Sequence, residues 1–68
     1  MREVAVGEEG IRLGQLLKLA DVVDTGGAAR ALLGAGRVTV NGVAESRRGA
    51  RLRPGDVVDA AGEQLRLV

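Results

Sequence analysis

The 68-residue chain contains no cysteine, no histidine and no aromatic residue, and only one proline. Without cysteine or histidine there is no thiolate or imidazole to hold zinc, an iron–sulfur cluster or haem. There is also no imidazole general base. No disulfide can brace the fold, so the core must hold itself together, and the redox state of the compartment is left unconstrained. The missing rings exclude RNA readers that stack bases on aromatic platforms. No apolar run approaches the roughly 20 residues of a membrane span. The opening Met1-Arg2-Glu3-Val4-Ala5-Val6 has no apolar stretch of the kind that marks a signal peptide. These absences predict a small cytoplasmic binding module, non-catalytic, with no cofactor, no metal and no membrane partner.

What is present is aliphatic and basic. Ten Val, nine Leu and one Ile give a globular composition at this length, sufficient for one domain over residues 1–68. Net charge is only +1, but it is unevenly spread. Residues 1–29 balance to −2 and residues 54–68 to −2. Residues 30–53 set Arg30, Arg37, Arg47, Arg48, Arg51 and Arg53 against Glu45 alone, a balance of +5. A basic middle between acidic ends is a patterned field that attracts an anionic partner.

Periodicity gives the order of elements. Glu3-Val4-Ala5-Val6 reads as an edge strand over 3–6. Leu13, Leu16, Leu17 and Ala20 fall on one stripe of a helix expected over 11–20, with Glu8 and Glu9 before its positive end. Asp21-Val22-Val23-Asp24 interrupts it. Thr25 offers an N-cap oxygen to a second helix over 26–35, with Ala29, Leu32 and Leu33 on its inner face and Gly36 as its stop. Asn41-Gly42 between Val38-Thr39-Val40 and Val43 is the preferred two-residue hairpin loop. Residues 45–53 read as a polar, basic loop. Pro54-Gly55-Asp56 turns the chain into Val57-Val58-Asp59-Ala60, with Asp56 fixing that turn, and a last strand is expected over 64–68. The class is α+β: two short packed helices, a hairpin and further short strands.

Residues 12–56 resemble the RNA-binding domain named after the fourth protein of the small ribosomal subunit, also called the αL motif. Arg12-Leu13, Leu16-Leu17, Thr25, Ala29-Arg30 and Leu32-Leu33 carry the resemblance. So does Gly36-Arg37-Val38-Thr39-Val40-Asn41-Gly42, with Gly55-Asp56 fourteen residues after that Asn-Gly begins. Leu16-Leu17-Lys18-Leu19, Gly26-Gly27 and Arg47-Arg48 look like the small stand-alone bacterial members. The family-like core spans 11–58, between the flanking strands 3–6 and 64–68. Many members of the wider family place a basic residue where this chain has Gly26-Gly27, so that part of the phosphate-binding face is either supplied by backbone N–H groups or missing.

The resemblance implies binding of structured RNA through phosphates, and the chain is expected to be a monomer. Ribosomal RNA, a ribosome-assembly particle, transfer RNA and a small regulatory RNA are all compatible with it. The candidate contacts are Arg12, Arg30, Arg37, Arg47, Arg48, Arg51 and Arg53, with Lys18 a weaker one. Thr25 and Asn41 read as structural, a cap and a turn. Arginine suits this task because its rigid fork of donors meets phosphate oxygens in pairs. Two other classes compete: a protein–protein adaptor without nucleic-acid affinity, and a helix-turn-helix DNA reader. The second helix offers the latter only Arg30 among Gly, Ala and Leu, too little for reading bases.

Overall fold

The computed structural model describes all 68 residues. Nine elements follow one another: β1 (Arg2–Val4), β2 (Ile11–Arg12), α1 (Leu13–Leu19), α2 (Gly26–Gly34), β3 (Val38–Val40), β4 (Val43–Ala44), β5 (Arg51–Leu52), β6 (Val57–Ala60) and β7 (Glu63–Leu67). Five strands form one sheet in the order β1-β7-β6-β3-β4, and β2 pairs with β5 as a separate antiparallel ribbon. The first strand runs parallel to the last, Val4 beside Leu67, and the other ladders are antiparallel.

Alternation along the strands decides the layers. Val4, Val38, Val58, Ala60, Leu65 and Leu67 are buried on one face, against Leu13, Leu16, Leu17 and Ala20 of α1 and Ala29 and Leu33 of α2. Glu3, Gln64 and Arg66 alternate with them along β1 and β7 and are exposed. No polar or charged side chain is buried, so the interior between the two layers is aliphatic packing.

Both helices stop by the same device. At the end of α2, Gly36 takes φ +72° while its N–H bonds to the Leu33 carbonyl and that of Arg37 to the Leu32 carbonyl. This left-handed closure satisfies carbonyls that the helix leaves free. At the end of α1, Asp21 makes the same turn at φ +58°, with Asp21 N–H on Lys18 O and Val22 N–H on Leu17 O. The stop expected at Asp21–Asp24 is there, but backbone geometry at Asp21 makes it.

Thr25 caps α2 through Oγ1, which accepts from Ala28 N–H at 3.0 Å. Asn41 (φ +52°) and Gly42 (φ +83°) form the expected hairpin turn. Asn41 also binds a second turn. Its Nδ2 donates to Asp56 Oδ1 at 3.0 Å, its Oδ1 accepts from Val57 N–H at 2.9 Å, and Asp56 Oδ2 accepts from Arg53 N–H at 2.9 Å. The two turns are thereby locked to each other.

Three expectations need correction. The first helix begins at Leu13, because Ile11 and Arg12 pair with Leu52 and Arg51 as strand. Glu8 and Glu9 therefore form a turn well before the helix, and no acidic residue lies in its first turn. Segment 45–53 is more than a loop, since Arg51–Leu52 is strand and Leu52 is buried. The flanking strands lie over Arg2–Val4 and Glu63–Leu67, each shifted from 3–6 and 64–68.

Candidate nucleic-acid interface

The start of α1 is built by a segment more than thirty residues further along the chain. Arg12, the N-cap, has no side-chain acceptor to offer the helix. Instead Leu13 N–H donates to Ala50 O at 2.8 Å and Gly14 N–H to Arg48 O at 2.9 Å. Gln15 reaches back so that its Oε1 accepts from Arg12 N–H at 3.2 Å, and Arg12 Nη1 donates to Gly49 O at 3.0 Å. Backbone groups that a helix start leaves unsatisfied are thus occupied by residues 48–50.

This docking brings Arg48 onto the helix. A Cβ at Gly14 would collide with Arg48 Cγ, so the arginine stem can cross α1 only because residue 14 has no side chain. The far end of the same side chain reaches α2, where Arg48 Nη1 lies 3.7 Å from the position of a Cβ on Gly26. Arg48 therefore spans the two helix starts.

Around it lies an open cleft of about 390 Å³, lined by Arg12, Gly14, Gln15, Lys18, Gly26, Ala29, Arg48 and Gly49. Three of these are cationic and none is acidic. The two ion pairs of the chain, Arg2–Glu63 and Arg47–Glu45, involve none of them. A neighbouring hollow of about 320 Å³ shares Arg48 and adds Arg30, Leu33, Gly34 and Ser46. Unpaired cations around small residues leave both charge and room for an anion.

The remaining candidate arginines are distributed differently. Arg51 lies directly opposite Arg12 on the β2–β5 ribbon, and its Nη1 donates to Glu9 O at 3.0 Å. Two like charges in direct cross-strand register repel, and carbonyl oxygens are their only partners here. Arg53 and Arg37 line neither hollow. Both are exposed, and no acidic group or hydrogen-bond acceptor of the chain meets either side chain. Arg47 is bound bidentately by Glu45 and also lines neither hollow. Its side chain and its amide hold the Glu45 carboxyl down at about 2, and the pairing raises the arginine in turn.

Gly14, Gln15 and Gly49 also line the cleft without having stood out in the sequence, and Lys18, a weaker candidate there, lies among them. A glycine inside a leucine stripe is a readable signal, since it weakens a helix by about 1 kcal/mol unless a close approach requires it. Gln15 at the third helical position was the other visible cue.

Two short packed helices carried on a short-stranded sheet place the chain in the αL class of fold. The chain aligns along its whole length with the solution structure of YbcJ from E. coli. The TM-score is 0.77 at 29% identity, covering 100% of this chain and 87% of that one. The YbcJ structure is described as revealing an αL motif involved in RNA binding. Residues 4–68 match the S4 domain family, and the chain belongs to it. It is also 46% identical over 59 residues to the probable ribosome maturation protein RlbA of Bacillus subtilis (strain 168), covering 87% of this chain and 83% of that protein.

Proposed function

We propose that this chain is a non-catalytic module that binds structured RNA by its phosphates, with Arg12, Lys18 and Arg48 as the central contacts and Arg30 and Arg51 beside them. Arg37, Arg47 and Arg53 are peripheral in this reading. The observation that carries it is the cleft between the helix starts, which gathers three cations and no acid. Phosphate contacts of this kind position a protein on RNA without reading its sequence. The likeness to a ribosome maturation protein supports RNA of the ribosome or its assembly intermediates as the target. In this reading the chain acts as a monomer in the cytoplasm; no helix is long and apolar enough to cross a membrane.

Fluorescence anisotropy against a folded RNA hairpin over a KCl series tests this. Five phosphate contacts give a log–log slope of about −3.5 to −4.5, at roughly 0.7 to 0.9 per contact. Arg12→Ala and Arg48→Ala should each flatten the slope by one such increment. Duplex DNA of equal length should bind more weakly. A parent chain that binds no folded RNA at low salt overturns the reading. A partner protein recovered after nuclease treatment would then favour the adaptor class.

A further inference from the structure

Arg47 differs in kind from the other arginines of the basic segment. Glu45 takes one edge of its guanidinium, Nε to Oε2 at 3.2 Å and Nη2 to Oε1 at 3.1 Å, and Oε2 also accepts the Arg47 amide at 3.0 Å. The carboxylate is tucked in at 20% exposure, whereas the arginine side chain is 79% exposed. Arg12 and Arg51 are each held by one bond to a carbonyl and can swivel about it. Two parallel bonds to one carboxylate fix a guanidinium plane and cancel its charge. The result is a flat, charge-paired surface facing solvent, next in sequence to the arginine that spans the cleft.

A neutral pair is poorly suited to a phosphate, because it releases few counterions. A fixed guanidinium plane is well suited to the face of a nucleobase, and single-stranded bases stack on such planes in RNA recognition. The chain has no aromatic ring to serve instead. We propose that Arg47, clamped by Glu45, is a stacking platform for an unpaired base, and that the RNA this chain selects carries such a base beside the phosphates held at Arg48. The proposal rests on the RNA reading above and adds a ligand class to it: a helix interrupted by a bulge or a loop nucleotide.

The experiment compares two labelled RNA hairpins, one fully paired and one with a single bulged adenosine, in a KCl series with the intact chain. The parent should bind the bulged hairpin about fivefold or more tightly, the yield of one modest stack. Arg47→Lys retains the charge and loses the plane. The double variant Glu45→Gln with Arg47→Gln removes both charges together and leaves net charge unchanged. Both variants should lose the bulge preference and keep the parent's salt slope. Equal affinity of the parent for the two hairpins overturns the platform, as does Arg47→Lys with its preference intact. A double variant whose slope flattens by about 0.7 to 0.9 makes Arg47 an ordinary phosphate contact and also overturns it. Arg48→Ala serves as the control for the underlying reading. If it leaves the slope unchanged, or the parent binds neither hairpin, the cleft itself is refuted and the platform falls with it.

Discussion

Replacing Gly14 by alanine tests the cleft without touching a single charge. The added methyl falls on Arg48 Cγ, 3.0 Å from Cδ and 3.4 Å from the Arg48 carbonyl oxygen that accepts the Gly14 N–H. Cγ belongs to the base of the side chain, so the whole arginine stem must leave the helix surface. Two effects on stability oppose each other. Alanine in place of a helical glycine stabilises by about 1 kcal/mol, and the forced displacement costs about 1–3 kcal/mol. The balance is a net loss of about 0–2 kcal/mol, which a urea titration resolves. RNA binding has no such compensation, because Arg48 no longer spans from Gly14 to Gly26. The salt slope should flatten by about 0.7 to 0.9, as though the arginine itself had been removed. Circular dichroism establishes that the variant is folded before binding is measured. A folded Gly14→Ala chain with the parent's affinity and slope would refute the path assigned to Arg48.

Leu17→Ala and Leu33→Ala each remove a buried leucine from the seam between the layers and should destabilise by about 2–5 kcal/mol in urea, enough to unfold so small a chain. Asn41→Ala puts alanine at φ +52° and removes both bonds to the Pro54–Val57 turn, so a loss of about 2–4 kcal/mol is expected by the same assay. The Glu45 carboxyl titrates near 2 in the folded chain, below its ordinary 4.5, so its contribution to stability is complete above about pH 4.5 and is lost as pH falls through 2. A carboxyl-carbon NMR titration reads this directly, and a midpoint near 4.5 would mean that the clamp on Arg47 is absent in solution.

Much of the architecture was legible because its causes are local. The leucine stripes, the Thr25 cap, the Gly36 stop and the Asn41-Gly42 hairpin depend on residues within a few positions of one another. The ribbon of Ile11–Arg12 with Arg51–Leu52 was not legible. A two-residue strand carries no periodicity, and its partner lies forty residues away. The same long-range pairing hid the burial of Leu52 inside a segment dominated by charge. Among the candidate site residues, the charge map marked 30–53, passed over Arg12 and Lys18, two of the three cleft cations, and could not rank the arginines inside the segment. That Arg48 enters the cleft while Arg47 is bound by Glu45 depends on the docking of residues 48–50 onto α1. The asymmetry at the two helix ends is similar: glycine at 36 announces its left-handed turn, and aspartate at 21 does not.

The parallel pairing of β1 with β7 predicts an order in which parts of the molecule form. Placing Val4 beside Leu67 closes a loop of nearly the entire chain. Its entropy penalty grows only logarithmically with length, so the equilibrium is little affected, but non-local strand pairing is slow. The elements around the cleft lie between residues 11 and 52 and can dock without β1. Arg2 then fastens the late strand, donating from Nη1 to the Ala20 carbonyl at the end of α1 and to Glu63 at the start of β7. The expected kinetic role of β1 is that of a latch. Substitutions at Val4 should speed unfolding and leave the folding rate nearly unchanged, whereas those at Leu13 or Leu52 should slow folding.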